Sequence, residues 1–451
     1  MNPLGVIIIS TSKCLSAARV EEAFASDVII QGNFTKEEAE RLATSINAGS
    51  ITTKLTEISS QNVNASYGEG VLSKTFTAGI IGMILVIIFM TILYKFYGFI
   101  SGVNLLLYML LVMGVFWLIG GVLTLPGIAA LVLGIGMAVD SCVITAERIK
   151  EEMNTGKGVK TAFESGNKES WSSIFDANVT TLIVAVVLFI FGESSVKGFA
   201  TMLIITIFAT MFVMVFINRK LLKSFVNTKF FDKKPTAFIR FKTKDENRKV
   251  INIDSIKILK KCFIISASYL VIGLVLLVIN GLNLGIDFRA GTDANIKAEG
   301  LTVKEVKKDF KKLGYKIISI EKQENDEVYV KLNDELKENG INKVNNYFED
   351  KYNAKTEINV VTNIVKQELV KNAIYSVLIA ALGIIIYISL RFKFSYAISS
   401  IVALVHDVLV VIILFSLFKI EVNVIFIAAL LTIVGYSINN TIVVFDRIRE
   451  N

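Results

Sequence analysis

The first residue in this chain whose setting could do chemistry is an aspartate inside an apolar run. Asp140 follows Gly127–Val139, thirteen residues without a charge. An ionised carboxylate at the centre of a bilayer costs ~3 kcal/mol on insertion scales. Such a side chain needs a partner, a water path or a proton of its own, and a group balanced that way can exchange an ion; the alternative is a permanently protonated packing residue. Gly136, one turn earlier, is expected to admit a neighbouring helix. A second pair is His406-Asp407, which holds the only histidine in the chain. A histidine beside a mid-membrane carboxylate can relay protons. Adjacent helical residues diverge by about 100°, so a structural polar contact is the competing reading. Asp176 and Asn178 open another apolar segment, where Asp serves equally as a helix cap. Thr180 and Thr181 behind them can bond back to their own helix or line a polar seam.

The elements that must hold these side chains are long helices. Hydrophobic residues make up 53% of the 451 and charged residues 20%, with only three prolines and a mean hydropathy of +0.59. A soluble chain of this length needs more polar cover. Nine segments reach the roughly 20 apolar residues of a spanning helix: 76–94, 99–121, 124–146, 172–192, 196–218, 262–281, 369–390, 395–418 and 422–445. Pro126 falls in the first turn of its span, where a missing N–H is harmless. The net charge of +8 is concentrated in 219–261, which holds fourteen Lys/Arg against four Asp/Glu, whereas 284–366 holds fifteen of each. A basic loop beside apolar spans marks the cytoplasmic face rather than a nucleic-acid site. With nine spans threaded, Lys95, the Arg148–Lys168 loop, the 219–261 linker, Arg391/Lys393 and Arg447/Arg449 share that face. Arg148 and Arg447 anchor helix ends there. The soluble stretches 1–72 and 284–366 then face outward. An outward N-terminal domain needs a leading signal or span, and Met1–Lys13 offers no basic n-region, so a preceding helix is expected.

Residues 1–72 predict strand Gly5–Ser10, helix Ala17–Ala25, strand Asp27–Gln31, helix Lys36–Ala48 and strand Ile51–Ile58. Thr35/Glu38 form a capping-box pattern and Gly49 a stop. Residues 284–366 predict strand, helix, strand, strand, helix, strand, the ferredoxin-like order. Thr302/Glu305 form another capping box, and Val328, Val330 and Leu332 alternate as a half-buried strand does. The fold class is therefore an α-helical polytopic membrane protein in two halves with two small α+β external domains. Cys14, Cys142 and Cys262 are scattered and lack metal-ligand spacing, no nucleophile–base set occurs, and Gly285–Thr292 lacks the ending of a phosphate loop. The reading is of a transport protein with no enzyme, metal or cofactor chemistry.

A shift of 299 residues lays Gly127–Glu151 on Phe426–Glu450 with eight identities in 25, among them Ile128–Leu131, Gly136, Arg148, Ile149 and Glu151. Duplicated transporters work where the halves meet. The first half resembles SecD in Leu123-Thr-Leu-Pro-Gly-Ile-Ala, Gly136-Met-Ala-Val-Asp140, Glu147-Arg-Ile-Lys-Glu-Glu, Asp176-Ala-Asn-Val-Thr-Thr-Leu182 and Lys197-Gly-Phe-Ala200. The second resembles SecF in Gly285-Ile-Asp-Phe-Arg-Ala-Gly-Thr292, His406-Asp407, Ala428-Ala-Leu-Leu, Gly435-Tyr-Ser-Ile-Asn439 and Asp446-Arg-Ile-Arg-Glu-Asn451. The order and coverage resemble the SecD–SecF fusions of the RND superfamily.

That resemblance implies a twelve-span accessory of protein export in the bacterial cytoplasmic (inner) membrane, surrounded by lipid. Its partners would be the SecYEG channel, the SecA motor, YajC, YidC and the emerging preprotein, and its coupling ion H⁺ or Na⁺. Asp140 matches the aspartate of SecD that is its candidate ion-coupling group. Relative to the family, the first helix, most of the first external domain and the last two helices are expected to lie beyond this sequence. Where SecF proteins read Asn-Asp, this chain has Asn439-Asn440. An amide can bond an ion or water but cannot release a proton, which leaves Asp140, with Asp407, to carry charge. The rival reading is an RND-type exporter of small molecules or lipids; a sensor without ion flow is a third.

Overall fold

The computed structural model describes residues 5–10, 13–19, 35–49, 59–61, 65–241, 255–323 and 327–450. The chain divides into two units, Met1–Ile58 and Ser59–Asn451. In the first, β1 (Gly5–Ser10) pairs antiparallel with β2 (Lys13–Arg19), and α1 spans Lys36–Gly49. The helix expected from Ala17 does not begin there. Ala17 and Ala18 pair with Ile7 and Val6, so ladder hydrogen bonds override alanine's helix preference; Val20–Ala25, and the strands expected at Asp27–Gln31 and Ile51–Ile58, lie outside the described residues. The Thr35/Glu38 capping box forms in both directions, at 2.9 and 3.3 Å.

The second unit opens with β3 (Ser59–Gln61) and α2 (Ala65–Leu118). Of α2, Thr77–Leu118 is apolar over 42 residues, about 63 Å of helix against a hydrocarbon core of about 30 Å. Lys95 breaks it with φ 52 and ψ −126. The chain folds back there so closely that a Cβ on Gly98 would lie 1.9 Å from the Met90 carbonyl oxygen, and one on Gly102 would strike Ile87. Two glycines one turn apart thus seat the returning helix on the outgoing one. Among the described residues, eight helices are long and apolar enough to span a membrane; the fold at Lys95 turns the first into two passes, the nine expected.

The others follow in order: α3 (Leu125–Asn154), α4 (Val159–Phe191), then α5 (Ser194–Ala209) running through a π-helical stretch (Thr210–Ile217) into α6 (Asn218–Asn227). Thr124 caps α3 through the Gly127 N–H, with Pro126 in its first turn. The short α7 (Pro235–Phe238) tucks Phe238, fully buried, against Tyr97, Phe163 and Phe231. Then come α8 (Ser255–Asn280), β4 (Asn283–Leu284) and α9 (Ile286–Arg289). A βαββαβ domain follows, β5 (Gly291–Lys297), α10 (Val303–Leu313), β6 (Ile317–Lys322), β7 (Glu327–Leu332), α11 (Glu338–Tyr352) and β8 (Lys355–Val361). The chain returns through α12 (Asn363–Arg391), α13 (Phe394–Leu417), β9 (Glu421–Val422) and α14 (Val424–Glu450).

The domain's sheet has strand order β3-β8-β5-β7-β6, antiparallel throughout, which is the ferredoxin-like arrangement with β3 added at one edge. Val306, Phe310, Val344 and Phe348 of its helices close over Ala294, Ile296, Val328, Val330 and Ile358. Thr302 and Glu305 make the capping box. β7 departs from simple alternation, since Lys331 on its other face is also buried. Ahead of the domain, Ala290 holds φ 64 and ψ 164, a region suited almost only to glycine and costing of order 1–3 kcal/mol. Ala290→Gly is expected to stabilise the folded protein by about 1 kcal/mol after glycine's extra unfolded-state entropy, read as a raised unfolding midpoint in detergent.

Candidate functional site

Helix α4 forms the middle of the membrane bundle: α3, α5, α12 and α14 all pack on it. Its small and polar residues Ser170, Ser173, Ala177, Thr180, Thr181 and Ala185 are buried and let four neighbours approach. Gly166 packs on the Ile149 backbone, and Gly435 of α14 lies over Thr181. Thr180 and Thr181 return their hydroxyls to the carbonyls of their own preceding turn, so they close a polar seam without consuming a partner on another helix.

Beside that seam the two halves meet. Asn439 Nδ2 donates to Asp140 Oδ2 at 3.1 Å. The separation is 299 residues, the repeat shift itself, so equivalent positions of the two halves face each other. Asn439 is buried and its Oδ1 has no hydrogen-bond partner among the described residues. A half-buried carboxylate bonded to an amide whose own oxygen is free is a place for a proton, a water or a small cation. Asn440 is exposed on another face of α14, so the structure brings Asn439 and not Asn440 to Asp140. Gly136 has open space around it; Gly134 makes the close approach instead, under Thr206 and the Tyr108 hydroxyl. A two-residue offset turns a helix by about 200°, which is why the near glycine in sequence is on the wrong side.

Asp176 does not open its helix, because α4 begins at Val159. It lies mid-helix, buried, with Arg391 Nε at 2.7 Å and the Tyr387 hydroxyl donating at 2.7 Å, while Arg391 also donates to Ser172. Two carboxylate oxygens with two donors tie α4 to α12, and a cap role is replaced by an interhelical ion pair. Asn178 donates to the Ile174 carbonyl.

His406 and Asp407 do touch. The imidazole meets the next side chain, with Nδ1 2.9 Å from Asp407 Oδ1. His406 Nε2 lies 2.6 Å from Ser266 Oγ of α8, and Ser437 of α14 donates to Asp407 Oδ2 at 2.5 Å. These four side chains form a hydrogen-bonded row across α8, α13 and α14 near mid-span. Ser437 is two residues from Asn439, so α14 carries one polar contact on each side.

Three sets of contacts were not expected from sequence, the first of them between residues read there only as helix-end anchors. Arg148 and Arg447, equivalent under the repeat shift, converge on the Glu151 carboxylate at 3.3 and 3.0 Å. Asp446 is buried, accepting from Ser173 at 2.6 Å with Arg449 at 3.2 Å. Asn218, where the π-helical stretch ends, bonds Asn104 at 2.7 Å and Ser101 at 3.2 Å. The signal for the last was present: Asn104 and Asn218 are amides inside apolar segments. No group of three or more metal-ligating side chains occurs among the described residues.

A duplicated helical bundle with an intramembrane carboxylate at its internal interface and a ferredoxin-like domain at one end is a multi-pass membrane transport architecture. The chain belongs to the SecD/SecF family: the model for "Protein export membrane protein SecD/SecF, C-terminal" matches residues 44–228 and 341–451, and that for the "SecD/SecF GG Motif" matches 275–292. The protein translocase subunit SecDF of Bacillus subtilis is 44% identical over 97% of this chain and 62% of its own length. That of Brucella abortus is 30% identical over 94% of this chain and 56% of the relative. The crystal structure of SecDF, a translocon-associated membrane protein, from Thermus thermophilus superposes with TM-score 0.81 at 30% identity, covering 94% of this chain and 58% of that one. The chain thus spans about three fifths of the length of these relatives.

Proposed function

We propose that the complete protein is an accessory of the Sec export machinery that couples a transmembrane H⁺ or Na⁺ gradient to movement of its external domains on an emerging preprotein. The observation that carries this reading is the Asp140–Asn439 contact, a carboxylate at the seam of two duplicated halves bonded to an amide whose buried oxygen has no partner among the described residues. An ion bound or released there changes the charge of the seam and so the preferred position of Asn439 on α14 relative to Asp140 on α3. The names of its relatives, protein translocase subunits and a translocon-associated membrane protein, support a partnership with the SecYEG channel and the SecA motor. YajC and YidC are further partners to test. The basic linker, with its Lys/Arg excess, supports a cytoplasmic position for that face and an outward one for the ferredoxin-like domain.

The test is reconstitution of the complete protein with the channel and motor in vesicles carrying a preprotein arrested late in transit. Imposing a proton or sodium gradient is expected to speed completion, and a matched ionophore to erase the gain. An unchanged rate with either gradient would remove ion coupling from the reading, and the ion that works identifies the driver.

A further inference from the structure

Where the membrane bundle meets the ferredoxin-like domain, the side chains form a joint that the ion site does not use. Asp287 Oδ2 accepts the N–H of Val424, the first residue of α14, at 3.0 Å. That N–H is one of the donors a helix start leaves without an internal partner, and Asp287 belongs to the segment leading into the domain. Beside it, β4 and β9 pair in parallel through Asn283–Glu421 and Leu284–Val422, and the Gly285 N–H adds a bond of 2.9 Å to the Val422 carbonyl. At this crossing a Cβ on Gly285 would lie 2.7 Å from Glu421 Oε1, so a side chain there would displace the glutamate carboxylate.

Glu421 in turn holds the domain. Lys331 Nζ of β7 lies 2.6 Å from Glu421 Oε2, with the lysine side chain only 4% exposed. Tyr329 donates to Asp293 at 2.5 Å and reaches Glu421 at 3.5 Å, and Arg289 lies 3.1 Å from Asp293. Burial pushes the carboxyls of Asp287 and Asp293 up from their usual range, against the hydrogen bonds from Val424 and Tyr329 that pull them down. A buried lysine such as Lys331 needs its carboxylate partner, because removing one member of such a pair leaves an uncompensated charge.

We infer that Asp287, Glu421 and Lys331 are positioning residues that fix the ferredoxin-like domain to the end of α14, so that displacement of α14 at Asn439 reaches the domain. The inference rests, for its functional consequence, on the ion-coupled reading proposed above. The lever is short and continuous. From Val424 to Asn439 is one helix of about 22 Å, with the joint at one end and the Asp140 contact at the other. The domain's covalent links run through α8 and α12, and Phe288 adds an apolar contact to the cluster of Val422, Phe426 and Leu430 around the start of α14; the polar joint is what ties β7 of the domain itself to that end.

The test uses the complete protein with its native cysteines replaced by serine and spin labels at Lys308→Cys on α10 and Leu118→Cys at the end of α2. Interspin distances are measured without a gradient, and export with and without one. The neutral pair Lys331→Met/Glu421→Gln leaves no buried charge unpaired and is expected to fold. It should broaden the distance distribution and cut gradient-stimulated export roughly tenfold, with gradient-independent export unchanged. Lys331→Arg, which keeps the charge, should restore both readouts. Asp287→Ala gives an independent variant with the same expectation, should the neutral pair express poorly. A sharp, unshifted distance distribution with full stimulation in both variants would overturn the joint. The ion-coupled reading fails separately, through Asp140→Asn retaining stimulation, and the joint is then judged on the distances alone.

Discussion

Asp140→Asn is expected to remove gradient-driven stimulation of export while leaving the protein folded and its gradient-independent export intact. The substitution is nearly isosteric. An asparagine at 140 can still accept the Asn439 N–H that now lies 3.1 Å from Asp140 Oδ2, so the contact between halves survives. What is lost is the ability to change charge, since an amide neither takes up nor releases a proton in this range. A positioned proton-transfer group contributes about 10²-fold or more, and the stimulated component should fall by at least that factor. Asp140→Glu keeps the chemistry but places the carboxylate one methylene further along, and should retain part of the activity. The decisive pattern is a rate that no longer responds to the gradient in Asp140→Asn, partly responds in Asp140→Glu, and equals wild type when the gradient is collapsed. Full stimulation in Asp140→Asn would show that the charge at this seam does not drive movement.

Arg391→Ala is expected to destabilise the membrane bundle by about 3 kcal/mol, the low end for breaking a buried pair because the arginine is 30% exposed. It strips the guanidinium from a buried Asp176 and leaves only the Tyr387 hydroxyl to satisfy the carboxylate. Arg391→Lys should recover only part, because the guanidinium reaches Asp176 and Ser172 from two separate nitrogens and lysine offers one. Asp176→Asn combined with Arg391→Gln removes both charges and should cost far less than Arg391→Ala alone. Denaturation of purified protein in mixed micelles gives the ranking. If Arg391→Ala matched wild type, the pair would be incidental to the packing of α4 on α12.

Much of this architecture was legible because its determinants are local. The length of an apolar run decides whether a helix can span, so the nine passes follow from hydropathy even where Lys95 folds one helix on itself. Thr302 and Glu305 are three residues apart, and their reciprocal bonds require nothing else of the chain. The ferredoxin-like order comes from a period of two giving way to 3.6 and back. The duplication, too, is a property of sequence, and it pointed to the seam where Asp140 lies.

Partners were not legible, because they depend on which way each face turns. Asn439 and Asn440 are neighbours in sequence and about 100° apart on the helix; only packing against α4 decides that the first meets Asp140 and the second faces away. Asp176 read as a cap because the apolar window hid the preceding turns of α4, and its partners Tyr387 and Arg391 lie 211 and 215 residues away. Lys331 sat at what alternation made an outward position, and only the approach of β9 to the sheet buries it on Glu421. The sequence alone determined how many elements there are, what kind they are and which residues are too costly to be casual. The tertiary structure decided which of those residues touch, because a contact is set by rotation and approach of whole helices, quantities that no local pattern encodes.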